Sequence, residues 1–424
     1  MKKITLFACA MLMAMGVQAA TELYAVREGT QLTIYYDGKR VSRGGKIAPT
    51  GEHTGWWDYT QGTAAIKTIK FDPSVANATP TSTAYWFDDF KGVTTILDLN
   101  YLNTNSVTTM ERMFRYCETL TSLQLYTAYW TFNTGMVTNM HGMFQNCKAL
   151  TTLDLDRFDT REVTTMKSMF LNCEGLTSIK FGTVFDTDKV TNMMQMFQDC
   201  YSLTKLNLSG FEVGNVENFQ KMFYGSNNLT TIYADYNWAN FAPSTATSTD
   251  MFTGCSKLKG ANGTKYSASS VDITYARPDA SGSNGYFTKS SCPMPRDLRA
   301  TNITASSVKI SWTDEAKHMK SKVYCTRENT PGIDASAEVT TNSATLTGLT
   351  PNTTYIVYVE SQCSASASSE RSRTISFTTG APGQGIEDVT PSDSPSRGEK
   401  ILRDGKLLII VGDKTYDARG VEVR

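Results

Sequence analysis

A six-fold repeat constrains the fold of this chain more than any other feature. Between Val107 and Leu258 a Met-Phe pair recurs at steps of 26 to 30 residues. The pairs begin at Met113, Met143, Met169, Met196, Met222 and Met251. A recurrence of this length is typical of proteins built from stacked supersecondary units. A single copy has too little apolar surface to fold alone, so we expect neighbouring copies to bury a continuous core between them.

The spacing of apolar residues within one copy predicts a helix followed by a strand. In the third copy, apolar residues recur at three- and four-residue steps from Val163 to Cys173, which would place them on one face of a helix of about three turns. Ile179 and Phe181 then alternate with polar residues, as in a short strand with every second side chain inward. We therefore expect each copy to contribute one helix and one strand.

The consensus sequence of the repeat resembles that of a known family. Its consensus is Phe-Asp-Thr-x-x-Val-Thr-x-Met-x-x-Met-Phe-x-x-Cys-x-x-Leu-Thr-x-Leu, and Leu120 to Leu125 matches the leucine-rich-repeat pattern. Over roughly Thr21 to Thr288 the chain is similar to the BspA-like leucine-rich repeat family of bacterial surface proteins. The resemblance implies an exported, non-enzymatic protein with a part in adhesion. Ser226 departs from it by replacing the fifth Cys.

The N-terminus reads as a secretory signal peptide over residues 1–20. Two lysines precede an apolar run from Ile4 to Val17, and small residues favour cleavage after Ala19 or Ala20. Lipidation at Cys9 is a weaker alternative. No other apolar stretch is long enough to span a bilayer. We therefore expect a secreted protein, or one on the exterior of the outer membrane.

Before the repeats, residues 21–75 are predicted to form a β-rich N-terminal cap, and residues 76–290 the repeats with their C-terminal cap. Trp56 and Trp57 within the first segment have two readings. They pack inside the cap, or they form a platform for a carbohydrate.

After the repeats, residues 291–380 change to alternating strands at sandwich spacing. Trp312, the phrase from Leu346 to Leu349, and Tyr355 resemble a fibronectin type III domain, for which we expect the role of a spacer. Residues 381–399 form a linker rich in Pro, Gly and Ser.

Residues 400–424 form a β tail that resembles the C-terminal sorting modules of type IX secretion, or is a plain stabilising tail. The expected fold class is multidomain: an α/β leucine-rich-repeat-like solenoid, an all-β fibronectin type III sandwich and a small β tail.

Charge and motif content argue against nucleic-acid binding and against catalysis. Lys+Arg and Asp+Glu balance at 41 each, so there is no basic excess to neutralise phosphates. His53, His141 and His318 have no metal-ligand spacing, and we expect no metal and no cofactor. A carboxylate pair for glycoside hydrolysis stays open, but the only repeated acidic positions, Asp159 and Asp186, are expected to cap the predicted helices. The chain is predicted not to be an enzyme.

The cysteines divide into two groups. Cys292 and Cys363 are predicted to form a disulfide at one pole of the sandwich, closing a loop of about 70 residues and adding roughly 4 kcal/mol on the chain-entropy model. The repeat cysteines share one inward slot and are expected to stay reduced, as is Cys325. These repeat cysteines are Cys117, Cys147, Cys173, Cys200 and Cys255.

A row of outward side chains is the predicted ligand-binding face. In each predicted strand the residue between two inward positions must point outward. These residues are Gln124, Asp154, Lys180, Asn207 and Tyr233. The expected function is that of a monomeric, adhesin-like surface scaffold that binds an extracellular protein or glycan. A structural or antigenic surface protein without a single ligand is the alternative, and a glycan-active enzyme is the third possibility.

Overall fold

The structure, a computed structural model, describes most of the chain. The described residues are 20–52, 54–56, 66–126, 132–182, 184–314, 318–327, 332–365, 367–369, 371–372, 374–381, 399–403, 406–411 and 414–417. Residues 1–19 of the predicted signal peptide lie outside them. The chain divides into two compact units between Ser290 and Ser291. No helix in the described part is long and apolar enough to cross a membrane.

The first unit begins with a five-stranded sheet. Its strands are β1 (Glu22–Glu28), β2 (Gln31–Asp37), β3 (Lys46–Ile47), β4 (Thr68–Phe71) and β5 (Thr95–Leu97). Their order is β3-β1-β2-β4-β5, with β1 antiparallel to both of its neighbours and β2, β4 and β5 parallel. Helix α1 (Arg40–Arg43) follows β2, and short 3-10 helices span Pro73–Asn77 and Leu99–Tyr101. The hairpin of β1 and β2 is thereby joined to the first strands of the repeats.

The later copies and the segment that follows them carry only short strands. These are β6 (Thr152–Leu155), β7 (Ser178–Phe181), β8 (Lys205–Asn207), β9 (Thr231–Tyr233) and β10 (Phe287–Thr288). β6 and β7 form one parallel sheet, and β8, β9 and β10 form another. Helix α2 (Trp238–Phe241) and a 3-10 helix (Ile273–Tyr275) precede β10.

The predicted α/β leucine-rich-repeat-like solenoid is wrong. The Met-Phe segment of each copy is a run of turns and not a helix, and in the described part of this unit the only α-helices are α1 and α2, of four residues each. In the third copy, Ser168 and Asn172 have φ of 54° and 56°. A left-handed residue at every fourth position interrupts the right-handed backbone that an α-helix requires.

The backbone hydrogen bonds show what replaces the helix. The Ser168 and Phe170 amides donate to carbonyls of the next copy at 2.8 and 3.0 Å. The intervening Met169 and Leu171 amides instead donate to carbonyls three residues earlier in their own copy. Along this segment, every second amide bonds to the next copy, and the amides between them close turns within their own copy. Because each turn also returns the chain after three or four residues, the turns give the same apolar spacing as a helix.

The core of the first unit lies between the stacked copies. The phenylalanines of the Met-Phe pairs are fully buried and stack nearly parallel, with ring centroids 5.3 to 5.9 Å apart. They are Phe114, Phe144, Phe170, Phe197, Phe223 and Phe252. We call residues 81–258, which contain these copies, the repeat stack. Each copy buries its apolar side chains against its neighbours, as the repeat predicts.

A buried carboxylate organises the segment after the last copy. Asp279 accepts hydrogen bonds from the amides of Asn262, Thr264 and Gly285 and from the Thr264 hydroxyl. Burial raises the pKa of Asp279, but these hydrogen bonds outweigh it, so the pKa lies below its usual value. The carboxylate therefore holds the closing segment of this unit together in its ionised form.

The described part of the second unit contains a β-sandwich. Its strands are β11 (Arg296–Thr301), β12 (Ser307–Thr313), β13 (Lys320–Arg327), β14 (Ala335–Val339), β15 (Ser343–Thr347), β16 (Thr354–Ser364), β17 (Ala367–Ser368) and β18 (Ile375–Thr378). One sheet has the order β11-β12-β15, and the other β14-β13-β16-β17 with β18 also paired to β16. Trp312 and Tyr355 lie in the core, and the Thr350 amide donates to the Tyr355 hydroxyl at 2.9 Å. This bond closes the corner before β16.

The tail contains three short antiparallel strands. They are β19 (Glu399–Arg403), β20 (Lys406–Val411) and β21 (Lys414–Asp417). Residues 404–405, 412–413 and 418–424 of the predicted tail lie outside the described residues.

Candidate functional site

The outward row of the repeat strands is accessible to solvent. Gln124, Asp154, Lys180 and Asn207 are exposed, and Tyr233 is half-buried. The inward neighbour Leu153 is 2% exposed. The period of two along these strands therefore separates core side chains from outward ones.

The middle of the row forms a connected polar cluster. Asp154 and Lys180 are direct partners in the ladder of β6 and β7. The Lys180 ammonium lies 3.8 Å from Asp154 and 3.1 Å from Asp156, while the Tyr126 hydroxyl donates to Asp154 at 2.7 Å. The Arg157 guanidinium lies 5.2 Å from the centre of the Tyr126 ring. We call these five residues the outward cluster.

The charges of the outward cluster reinforce one another. Hydrogen bonding to Asp156 is the main cause that raises the pKa of Lys180, and hydrogen bonding to Asp154 is the main cause for Tyr126. Both shifts favour the protonated form, which Lys and Tyr side chains already hold at neutral pH. Lys180 and Asp154 are still 59% and 47% exposed, so a ligand can reach them. The cluster offers donors, acceptors and one aromatic ring on a surface held by backbone pairing.

The predicted stripe requires five neighbouring strands in one sheet, but the outward residues do not lie in one continuous sheet. Asn207 is paired with Tyr233 in the second sheet, which is not hydrogen-bonded as a ladder to the sheet of Asp154 and Lys180. Gln124 lies in a segment without strand structure. The predicted stripe is therefore two paired segments with Gln124 beside the first.

A second polar cluster was missed by the sequence reasoning. The Arg115 guanidinium binds the Asp88 carboxylate through two contacts of 2.6 Å and reaches Glu52 at 2.5 Å, and Arg112 also binds Glu52 at 3.0 Å. Burial raises the pKa of Asp88 despite the opposing effect of Arg115. Arg115 directly follows the Phe of the first copy, and Asp88 directly follows Phe87 at the matching position of the preceding segment. Opposite charges in one slot were the signal that could have revealed this pair.

Two predicted candidates have structural roles. Trp56 is fully buried, donates its indole N–H to the Trp86 carbonyl at 2.6 Å and packs edge-on against that ring. Trp56 therefore packs inside the cap and offers no platform, while Trp57 lies outside the described residues. Asp159 and Asp186 cap no helix. Each accepts from the amide two residues later and closes a turn.

The repeat cysteines are buried free thiols. Each thiol donates to the carbonyl of the Phe in the preceding copy, for example Cys173 to Phe144 at 3.1 Å. Burial raises the pKa of the Cys255 thiol to about 12 and that of Cys173 well above its usual value. Neutral, enclosed thiols are poor nucleophiles and poor metal ligands. Among the described residues there is no group of His, Cys, Asp and Glu that could hold a metal ion.

The second unit carries a disulfide and a buried polar group. Cys292 and Cys363 are joined, with Cα atoms 5.5 Å apart, and Cys325 is a buried free thiol. His318 Nδ1 lies 2.8 Å from the Asp314 carboxylate, which also accepts from the Ser361 hydroxyl at 3.0 Å. The Asp314 carboxylate thus lies between the imidazole of His318 and the hydroxyl of Ser361. In a Ser-His-Asp catalytic triad the imidazole itself contacts the serine hydroxyl, so these three residues do not have the arrangement of a triad.

The sandwich also has an open groove of about 450 Å³ beside β14. It is lined by Met319, Lys320, Glu338, Val339, Thr340 and Thr341. Lys320 and Glu338 form an ion pair across it at 2.9 Å. Ligand pockets are usually enclosed and mostly apolar, so this groove does not have the character of a small-molecule site.

The fold and surface define a stack of turn-rich repeats followed by a β-sandwich. Residues 81–182 and 178–266 match the family described as "Mycoplasma protein of unknown function, DUF285". The predicted fibronectin type III domain is confirmed, because residues 293–378 match the profile of that domain. No curated protein matches this chain.

Several solved structures are similar to the sandwich. The fn3 domain of the human collagen alpha-1(XX) chain is 26% identical, over 22% of this chain and 88% of that chain, with a TM-score of 0.19. The FN5 domain of Drosophila Lar is 22% identical, over 21% and 96%, with a TM-score of 0.18. The FN1-FN3 domains of chicken CNTN1 are 19% identical, over 22% and 33%, with a TM-score of 0.20.

Proposed function

We propose that this protein is an exported, non-enzymatic surface scaffold that binds an extracellular protein or glycan through the outward cluster. The observation that carries the proposal is the cluster itself, in which Asp154 and Lys180 are exposed on paired strands and the half-buried Tyr126 donates its hydroxyl to Asp154. Paired strands hold such groups in place, so less conformational entropy is lost when a ligand binds. The resemblance of the repeat consensus to BspA-like surface proteins and the fibronectin type III domain are compatible with this role.

The chemistry of the cluster favours a polar ligand. Carboxylates accept hydrogen bonds from hydroxyls or amides, the ammonium donates to oxygens, and the tyrosine supplies a ring beside them. A sugar chain or a polar peptide segment presents these partners. The fibronectin type III domain then serves as a spacer, and the tail as a sorting or anchoring element.

The test compares residues 21–424 with a triple variant in which Tyr126, Asp154 and Lys180, three members of the outward cluster, are changed to Ala. Both are applied to a glycan array and to immobilised purified matrix proteins. We expect the wild-type chain to bind at least one member and the variant to lose that binding. Its unfolding free energy should stay within about 1 kcal/mol of wild type, because exposed substitutions seldom cost more.

A matched control is available elsewhere on the stack. Glu162 and Lys189 form an exposed ion pair at 2.8 Å, and Tyr201 is 40% exposed. Changing these three residues to Ala removes the same kinds of side chain and should leave binding intact. If the first variant binds like wild type, the outward cluster is not the site. If the wild-type chain binds nothing, the alternative of a structural or antigenic surface protein without a single ligand is favoured.

A further inference from the structure

The chain leaves the first unit through a strand that is firmly bonded. β10 pairs in parallel with β9, with Phe287 opposite Ile232 and Thr288 opposite Tyr233. Beyond it, the Ser290 amide donates to the Asp235 carboxylate at 2.8 Å. A pull on the following residues would load these hydrogen bonds together, along the direction of the strand.

The disulfide lies at the very start of the second unit. Cys292 follows Ser290 by two residues and precedes β11, and its partner Cys363 is the second-last residue of β16. The two cysteines are 71 positions apart in the chain. The loop that they close contains β11 to β15 and all but the end of β16.

The end of the sandwich is also fastened. Phe377 in β18 is 5% exposed and stacks on Tyr355. The Thr379 hydroxyl donates to the Thr350 carbonyl at 2.6 Å, and the Gly380 amide donates to the Thr304 carbonyl at 3.1 Å. The chain is therefore held both where it enters the sandwich and where it leaves it.

We propose that the Cys292–Cys363 disulfide is a mechanical bypass that carries tension past the sandwich core. A pull between the repeat stack and the residues after Gly380 enters at Cys292, crosses the disulfide to Cys363 and leaves along β17 and β18. A covalent bond does not extend under forces that separate strands. The strands inside the loop therefore cannot be drawn out, and only the segment after Cys363 can extend.

The bypass limits how far the sandwich can lengthen. With the disulfide closed, only the ~15 residues between Cys363 and Thr378 can extend, which is about 50 Å at roughly 3.4 Å per residue. Without it, the 71 positions between the cysteines are added, which is about 240 Å more. This inference concerns any pull along the chain and does not depend on which ligand is bound.

Single-molecule force spectroscopy tests the bypass. Residues 21–424 would be pulled by tags at the two ends, in oxidising buffer and again with dithiothreitol, beside the double variant Cys292→Ser/Cys363→Ser. We expect the sandwich event of the oxidised chain to show a contour-length gain of at most about 50 Å, because the distance that this segment spans in the folded state is subtracted from its extended length. The same event should lengthen by about 240 Å with reductant and in the double variant.

The control is Cys325→Ala, which removes a thiol that lies inside the closed loop but outside the bridge. It should keep the short gain in oxidising buffer. A long gain from the oxidised wild-type chain would overturn the proposal, and so would a short gain from the double variant. If the double variant does not fold, the oxidised wild-type gain alone decides, because about 50 Å and about 290 Å are readily resolved.

Discussion

Ser226 provides the sharpest test of how the copies are held together. It occupies the slot that holds Cys in the other copies and is fully buried. Its hydroxyl donates to the Phe197 carbonyl at 2.7 Å and accepts from the Cys200 amide at 3.1 Å. The hydroxyl therefore connects two backbone groups of the preceding copy, as the thiol of Cys173 bonds to Phe144. The slot requires a donor and not merely a small apolar group.

Ser226→Ala removes both bonds and leaves two buried backbone groups facing a methyl group. An unsatisfied buried donor or acceptor costs about 1–3 kcal/mol. We expect the variant to lose about 2–4 kcal/mol of unfolding free energy. Urea unfolding of residues 21–424 at pH 7, followed by tryptophan fluorescence, measures the loss.

Ser226→Cys is the matched control, because it restores a donor in the form that the other copies use. We expect it to lie within about 1 kcal/mol of wild type, since the thiol is a weaker and larger donor. Two results would refute the reasoning. Either Ser226→Ala unfolds at the wild-type urea concentration, or Ser226→Cys is as unstable as Ser226→Ala.

Three further predictions follow from residues already described, each measured by urea unfolding. Leu153→Ala should lower the unfolding free energy by about 2–5 kcal/mol because it leaves a cavity. Asp154→Ala, one position away but outward, should change it by no more than about 1 kcal/mol. Equal losses would contradict the assignment of Leu153 as inward and Asp154 as outward. Asp88→Ala should cost about 1.5–3 kcal/mol, because it removes two charge-assisted hydrogen bonds from the partly buried guanidinium of Arg115, which keeps Glu52 as a partner. Lys91→Ala breaks the exposed ion pair with Asp89 at 2.9 Å and should cost under about 1 kcal/mol. Because the folded chain lowers the pKa of Asp279, its contribution is present above the unfolded pKa of about 3.9 and is lost as the pH falls through the folded value. Stability should therefore fall below about pH 4, and Asp279→Asn should lack that part of the fall; an identical acid profile for both would contradict it.

The core of the first unit could be predicted from the sequence, but its secondary structure could not. Phe170 and Cys173 are buried, as their spacing requires. Apolar residues at three- and four-residue steps fall on one side of a helix, and they also fall on one side of a run of turns. The deciding observation is the positive φ of Ser168 and Asn172. Serine rarely adopts a left-handed backbone, so Ser168 gave no sign of a positive φ in the sequence. The apolar spacing therefore favoured a helix.

The sequence predicted which side chains of the candidate site point outward, but not how many strands join in one ladder. Period two correctly made Asp154 and Lys180 outward residues of one ladder. Whether neighbouring copies continue that ladder depends on how closely each strand approaches the next, and the loop lengths between copies vary. The pairing of Asn207 with Tyr233 in a separate sheet reflects that variation. The Tyr126 hydroxyl reaches Asp154 across copies, a contact that no local pattern contains.

The left-handed positions of the turns have a consequence for which side chains the stack displays. Folding alone would favour Gly or Asn where φ is positive, since other residues cost about 1 kcal/mol or more there. Gly142 meets that preference, but the same slot holds Arg112, Gln195 and Lys221, with φ of 52°, 58° and 55°. The stack thus keeps long polar side chains at positions that a purely architectural protein would give to the smallest residue. Chemical variety along this edge is maintained against the intrinsic preference of the backbone.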